Sequence, residues 1–139
     1  MEATKDILVA HEDGTLSFGD YTLATKTKVE DFAFEGDVYK VKTYNEITKL
    51  EKNGMFIYES VPGSFVERYR TTENEESFSV SAAGDVQFTL ELEADCEYEV
   101  FIDGESAGKM MTNISGKLSV SIELNPDERA DVRIVKCAA

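Results

Sequence analysis

The chain has 139 residues, with 28 acidic and 14 basic side chains, a formal net charge of -14 and 42% hydrophobic residues. A chain of this length buries a sizeable core as one domain or as two very small ones. The charge repels phosphate backbones and anionic lipid surfaces, so neither nucleic acid nor membrane is expected as a partner. The N-terminal residues lack signal-peptide features and no apolar run is long enough to span a bilayer, so a cytoplasmic location is expected.

Most of the sequence alternates apolar and polar residues with a period of two, interrupted by turn residues every eight to twelve positions. This pattern predicts an all-β antiparallel fold, a sandwich or a jelly-roll-like protein. In chain order, turns are predicted at Asp13-Gly14, Gly36, Asn53-Gly54 and Pro62-Gly63.

One segment, 45–52, allows two interpretations. Asn45 is a suitable N-cap and Gly54 a suitable terminator for one or two helical turns. The same residues also fit a strand. The sequence therefore predicts at most one short helix, and only near 45–52.

The C-terminal half has the clearest alternation. Its predicted inward residues are Phe78, Val80, Val86, Phe88, Leu90, Leu92, Tyr98, Val100, Ile102, Leu118, Val120, Ile122 and Leu124. A polar loop at 72–77 separates a segment of net charge -4 from one of -10. The chain is therefore expected to form either an N-terminal β-hairpin unit (1–72) and a C-terminal β-sandwich unit (77–139), or a single continuous domain (1–139).

The segment 55–70 carries large apolar groups on both strand phases. Such strands are either buried on both faces or paired with a partner. The first interpretation places the segment at the centre of the core. The second makes it an assembly or ligand face, because tyrosine and arginine dominate binding hot spots. The candidate residues for that face are Phe56, Tyr58, Phe65, Arg68, Tyr69 and Arg70.

The stretch 91–105 holds seven acidic residues and no basic one. If the apolar residues of 86–92 and 97–102 point inward, the glutamates point to solvent, and the two strands are expected to form a charged edge hairpin. The alternative is a Ca²⁺ site, which requires six to eight converging oxygens. The metal candidates are Glu91, Glu93, Glu97 and Glu99.

The sequence offers little support for a catalytic site. His11 is the single histidine, and no nucleophile elbow or phosphate-binding glycine loop is present. The two cysteines, Cys96 and Cys137, are expected to be reduced core residues, although the sequence leaves open whether they pair.

The stretches "ITKLEKNGMFIYESVPGSFVE" and "LELEADCEYEVFIDGESAGKMMTNISGKLSVSIEL" resemble a group of short bacterial all-β proteins, some of which carry the label "endosialidase". The resemblance covers most of the chain, and its shared patterns, "YESVPG" and "GKLSxSxEL", correspond to turns and strands. It implies a hydrolase acting on sialylated polysaccharide as one alternative. Sialidases typically use a tyrosine nucleophile, an arginine cluster and Asp-box repeats. No Asp box is present here, and the four arginines fall in two separate segments.

The sequence therefore predicts a non-enzymatic structural or interaction protein that self-associates through β surfaces as a homo-oligomer. The first alternative is a small carbohydrate-binding module that uses Tyr58, Tyr69 and a neighbouring arginine. The second is the glycoside hydrolase that the resemblance implies. No cofactor is expected, apart from the Ca²⁺ alternative at the acidic stretch.

Overall fold

The computed structural model describes residues 7–126 and 128–137. Within these residues the chain forms thirteen β-strands and no helix, and therefore no helix long and apolar enough to cross a membrane. The strands are β1 (Leu8–Ala10), β2 (Leu16–Phe18), β3 (Thr27–Phe34), β4 (Asp37–Tyr44), β5 (Ile47–Lys52), β6 (Met55–Val61), β7 (Ser64–Thr71), β8 (Glu75–Ala82), β9 (Val86–Glu91), β10 (Glu97–Ile102), β11 (Glu105–Met111), β12 (Lys117–Ile122) and β13 (Arg129–Lys136).

The strands form two packed antiparallel sheets. The seven-stranded sheet has the order β1-β2-β7-β8-β13-β10-β11, and the six-stranded sheet has the order β12-β9-β6-β5-β4-β3. The predicted all-β antiparallel sandwich is confirmed. Each sheet contains strands from both sides of the polar loop at 72–77, and β7 pairs with β8 directly across that loop.

Alternation along the strands builds the core between the sheets. All the residues predicted to face inward in the C-terminal half are buried, apart from Leu92 and Ile102, which are half-buried and pack against the core. Buried threonines and serines of the core find hydrogen-bond partners: the Thr43 and Thr48 hydroxyls lie 2.7 Å apart, and Ser60 Oγ lies 2.7 Å from Ser64 Oγ. The core is therefore both apolar and satisfied in its polar groups.

Five aromatic rings occupy the centre of the core: Phe18, Tyr58, Tyr69, Phe78 and Phe88. Their centroids lie 5.1 to 6.0 Å apart, mostly in edge-to-face arrangements. Such geometry adds about 0.5–1.5 kcal/mol per pair beyond the burial of area. The Tyr58 ring comes from the six-stranded sheet and the Tyr69 ring from the seven-stranded sheet, so the cluster ties the two sheets together.

The helical alternative for 45–52 is wrong, because residues 47–52 form strand β5. Its alternate residues Thr48 and Leu50 are fully buried, and it pairs with β4 on one side and β6 on the other. A central strand position satisfies the backbone groups that a short helix would have left to caps and solvent.

The expected acidic edge hairpin is also wrong. Strand β9 lies in the six-stranded sheet between β12 and β6, whereas β10 lies in the seven-stranded sheet between β13 and β11. Residues 92–96 cross from one sheet to the other. The alternating residues of both strands do face the core, but alternation does not determine which strands become neighbours.

The predicted turn at Pro62-Gly63 is a second crossing point, since it joins β6 of one sheet to β7 of the other. Gly63 packs against the backbone at the end of β4: a Cβ atom at this position would lie 2.0 Å from the Tyr44 carbonyl oxygen. Only glycine allows the two backbones to approach this closely.

Candidate functional site

A β-bulge in β7 changes which side chains reach the surface. The register between β7 and β8 shifts between Glu67 and Arg70, where Arg68 adopts a left-handed backbone conformation with φ of 53°. Val66 and Tyr69 consequently both point inward and are buried. A bulge is a common means of re-aiming side chains beside a site. Here it puts Glu67, Arg68 and Arg70 together on the outer face.

The structure therefore separates the six residues proposed for a ligand or assembly face. Tyr58 and Tyr69 are 0% and 5% exposed and belong to the aromatic core, so they cannot contact a ligand or a partner surface. Phe56 lies on the outer face of the six-stranded sheet, with Lys49 Nζ 4.9 Å from its ring centroid.

Phe65, Arg68 and Arg70 lie on the outer face of the opposite, seven-stranded sheet. These three residues remain together and remain accessible. The structure thus places three of the six candidate residues on one accessible face, and whether that face binds a ligand or a partner stays a prediction.

An open depression of about 520 Å³ lies on this face, formed by β7, β8, β13 and the tips of neighbouring loops. We call it the arginine depression. Its lining includes Arg68, Arg70, Arg133, Phe101, Asp13 and Asp131. Three guanidinium groups thus converge in a protein whose net charge is strongly negative.

A short hydrogen-bond chain holds one side of the arginine depression. Arg68 Nη2 donates to Ser79 Oγ at 2.6 Å, and Ser79 Oγ donates to Asp131 Oδ1 at 2.6 Å. Ser79 is only 3% exposed although it points outward, because the side chains of its neighbours cover it. The Arg68 guanidinium is thereby held in place while remaining largely exposed to solvent.

Arg133 forms the opposite side. It donates two hydrogen bonds to the Glu75 carboxylate, at 2.8 Å from Nε and 3.1 Å from Nη2. Its guanidinium carbon lies 5.6 Å from the centroid of the Phe101 ring. This stacking leaves the guanidinium plane fixed between an aromatic ring and a carboxylate. The Glu75 contact also raises the pKa of Arg133, so the group stays cationic.

Arg70 contacts the loop that carries Asp13. Its guanidinium donates to the backbone carbonyl of Asp13, and among the described residues no carboxylate oxygen lies within 4.0 Å of it. Hydrogen bonds from Thr15 lower the pKa of the Asp13 carboxyl group and hold it on the loop, and the charge of Arg70 helps to lower this pKa. Arg70 is therefore a fixed cation that can accept an anionic partner.

A second open depression, of about 530 Å³, lies farther along the same outer face. We call it the aromatic depression. Its lining includes Phe65, Tyr21, Val9, His11, Ser17 and Ser81. His11 Nε2 lies 2.8 Å from Ser17 Oγ, and Ser17 is almost fully buried. This depression presents ring faces and hydroxyl groups rather than a cluster of cations.

The inner side of the same strands carries a different cluster. Glu76 is 6% exposed and lines a third open depression, of about 240 Å³, whose lining comes from both sheets and includes Tyr69, Lys52, Glu91 and Tyr98. The Tyr69 hydroxyl faces Glu76 Oε1 at 3.4 Å. Burial raises the pKa of Glu76 to about 8, so the carboxyl group is mostly protonated at neutral pH.

The four glutamates proposed as metal ligands do not converge. Glu91 pairs with Lys117 at 3.6 Å on the six-stranded sheet. Glu93 pairs with Lys136, which raises the pKa of that lysine. Glu99 accepts a hydrogen bond from Ser106 at 2.7 Å. Glu97 is exposed on β10. Within residues 7–126 and 128–137, no group of three or more potential metal-ligating side chains is found.

Both cysteines, Cys96 and Cys137, are free and half-buried. Neither lines any of these three depressions.

Sequence reasoning missed several residues of the arginine depression, chiefly Phe101, Asp131 and Arg133. Alternation in β10 and β13 would have placed all three on the outer phase. Alternation does not give the strand order, and only the insertion of β13 between β8 and β10 brings these residues close to β7. The bulge at Arg68 was a further unrecognised feature, and it carries no clear local sequence signal.

Fold and site together define a class: a two-sheet antiparallel β protein with a cation-lined depression on the outer face of one sheet. No family model, curated protein or solved structure matches the chain. The resemblance to the "endosialidase" group is therefore neither supported nor contradicted by these comparisons, and it stays a prediction.

Proposed function

We propose that this protein is a small non-enzymatic carbohydrate-binding module that recognises a carboxylated sugar at the arginine depression. The observation that carries the proposal is that Arg68, Arg70, Arg133 and Phe101 line a single open depression. Guanidinium groups recognise carboxylates in a planar, two-point geometry, and an aromatic ring provides a face against which a sugar ring packs.

The position of the depression favours a sugar over an extended peptide. It lies over β7, β8 and β13, which are all central strands whose backbone groups are already paired. A peptide that binds by adding a strand needs a free sheet edge instead. The outer face offers side-chain donors, serine hydroxyls and ring faces, which complement the hydroxyl groups and carboxylate of an acidic sugar.

A glycan array that contains matched carboxylated and neutral sugars tests the proposal. The expected result is selective binding of carboxylated members. The Arg70→Ala variant should weaken that binding by about tenfold or more, because a hydrogen bond to a charged group contributes about 1.5–3 kcal/mol.

Lys109→Ala provides the control, since Lys109 is an exposed cation on β11 outside the depression. It should bind like the parent protein. Binding that does not discriminate between carboxylated and neutral sugars, or that is insensitive to Arg70→Ala, would refute the proposal.

Self-association is a second candidate, and one observation favours it. Strand β11 is the last strand of its sheet, and six of its seven residues are exposed, including Met111 at 63%. An exposed edge strand is a template for pairing with another chain. This surface replaces 55–70 as the basis for the idea, because three of the large groups of 55–70, Tyr58, Val66 and Tyr69, lie in the core.

Light scattering after size-exclusion chromatography tests this candidate. A dimer should show about twice the chain mass of 15.5 kDa. Ala107→Pro in β11 should convert it to a monomer, because proline removes a backbone donor from the edge. A parent protein that stays monomeric at high concentration would remove this candidate.

The hydrolase alternative receives no support from the geometry. The buried pair Tyr69 and Glu76 faces the space between the sheets, whereas Arg68, Arg70 and Arg133 face outward across the same sheet. A substrate whose carboxylate is held by these arginines cannot reach the tyrosine. Turnover of a sialylated polymer by the purified protein would overturn this reasoning.

A further inference from the structure

The arginine depression and the aromatic depression lie along the same strand. Ser77 and Ser79 of β8 belong to the first, and Ser81 belongs to the second. These three serines occupy successive outward positions of β8, with taller side chains on the flanking strands β7 and β13. The short side chains of Ser77, Ser79 and Ser81 thus form a shallow surface that connects the two depressions, and we call it the serine floor.

One ion pair separates them. Glu67 of β7 and Arg129 of β13 lie on opposite sides of β8, yet Arg129 Nη1 is 3.5 Å from Glu67 Oε1. In the strand register Glu67 is opposite Ser79 and Arg129 is opposite Ser81. The two side chains must therefore meet above the serine floor. Both side chains are well exposed, and an exposed pair of this kind adds little to stability, so a ligand can displace it.

The two depressions differ in charge. The first sets Arg68, Arg70 and Arg133 against two aspartates, Asp13 and Asp131, whereas the second contains Asp20 and Glu67 but no lysine or arginine. A ligand that carried carboxylates along its whole length would meet like charge in the aromatic depression. A ligand with one acidic unit followed by neutral units matches both.

We propose that the two depressions form one groove, which binds a linear oligosaccharide whose acidic end contacts the arginines and whose neutral units displace the Glu67–Arg129 pair and pack on Phe65 and Tyr21. This inference rests on the proposed function and specifies its ligand. Ser77 to Ser81 spans about 13 Å of extended strand, roughly the length of a trisaccharide.

Two probes of different length test the groove. The first is glucuronic acid alone, and the second is aldotriouronic acid, in which glucuronic acid is linked to the neutral disaccharide xylobiose. Titrations followed by backbone amide NMR shifts report both affinity and location. The trisaccharide should bind about tenfold or more tightly than the monosaccharide and should shift the amides of Phe65 and Ser81. The monosaccharide should shift only those around Arg70 and Arg133.

Three variants separate the parts of the groove. Glu67→Gln removes the ion pair, so it should strengthen trisaccharide binding a few-fold and leave monosaccharide binding unchanged. Phe65→Ala should remove the advantage of the trisaccharide. Ser81→Tyr should do the same by filling the floor, and because it changes an outward position it provides a second test if Phe65→Ala folds poorly.

The outcomes are distinguishable. Equal affinity for both probes, with Arg70-dependent binding, would overturn the extended groove and leave the proposed function standing. If neither probe shifts any amide of the arginine depression, the proposed function fails together with the groove. If Phe65→Ala instead lowers the scattering mass of the free protein, the aromatic depression holds a second copy of the chain, and the groove is overturned.

Discussion

The two faces of the β7–β8 ribbon carry opposite chemistry within a few residues of chain. On the outer face, Arg68 and Arg70 are exposed and charged. On the inner face, Tyr69 and Glu76 are buried, and Glu76 is mostly protonated at neutral pH because its pKa is raised to about 8. Residue type does not decide this difference. A single register shift at Arg68 assigns each side chain to water or to the core.

The comparison also separates stability from binding. Inner-face residues change the stability of the fold in two opposite ways. Packing of their apolar groups stabilises it, whereas burial of a polar group destabilises it. Outer-face arginines make exposed contacts whose contribution to stability is small, so they are free to serve a ligand. Four changes test this separation, from the largest expected effect to the smallest.

Deleting single residues on the two strands should have opposite consequences. Deletion of Arg68 removes the bulge and leaves Val66 and Tyr69 pointing inward, so the protein should still fold. Deletion of Ser77 from the regular strand β8 moves either Glu76 or Phe78 to the wrong face and should prevent folding. Thermal melts followed by circular dichroism compare the two. Equal loss of structure would show that the bulge does not set the register.

Alanine substitutions at two adjacent positions should differ sharply. Tyr69→Ala removes a ring from the aromatic core and should lower the free energy of unfolding by about 3–5 kcal/mol. Arg70→Ala should change it by less than about 0.5 kcal/mol. Urea denaturation measures both. A large loss of stability in Arg70→Ala would mean that the outer face is structural rather than ligand-binding.

Glu76→Gln should stabilise the protein in a pH-dependent manner. The carboxyl group of Glu76 ionises near 4.5 when the chain is unfolded and at about 8 when it is folded. Its contribution to stability is therefore complete below pH 4.5 and is lost as the pH rises to 8, at about 1.4 kcal/mol per pH unit.

Glutamine does not titrate, and it can keep a contact with the Tyr69 hydroxyl. At pH 7 the variant should exceed the parent by about 3 kcal/mol, and the difference should shrink towards pH 4.5. Urea denaturation across this range provides the measurement. A gain of equal size at pH 5 and pH 8 would show that Glu76 is ionised in the folded protein.

The smallest effect is expected at the bulge itself. Arg68→Val places a β-branched residue at φ of 53° and should cost about 1–2 kcal/mol. Arg70→Val, two positions along on the same face, should be close to neutral in stability, because an extended strand accommodates valine well. Indistinguishable stabilities would mean that the left-handed conformation at Arg68 is not retained in solution.

The fold class followed from the sequence because period-two alternation reports directly which side chains are buried. Inward positions such as Phe88, Val100 and Val120 were assigned correctly from that pattern. The segment 45–52 was ambiguous for a local reason: capping residues flank it, and only its pairing with β4 and β6 makes it a strand.

The candidate site could be predicted from the sequence only in part. Phe65, Arg68 and Arg70 were proposed from their residue types, and they do share one accessible face. Tyr58 and Tyr69 were proposed on the same grounds but are core residues. An aromatic or basic residue type indicates what a side chain can bind, whereas its orientation depends on the bulge, which involves a partner strand.

By itself the sequence determined the all-β class, most of the inward-facing positions and the acidic character of the surface, since these depend on local alternation and on residue type. Tertiary structure alone decided that β9 and β10 lie in different sheets. This separates Glu91 from Glu97 and Glu99, which the sequence proposes as ligands of one cation. Tertiary structure also brought Arg133 of β13 beside Arg68 and Arg70 of β7. The physical reason is that non-local strand order is set by the packing of two whole sheets, and no short stretch of sequence encodes it.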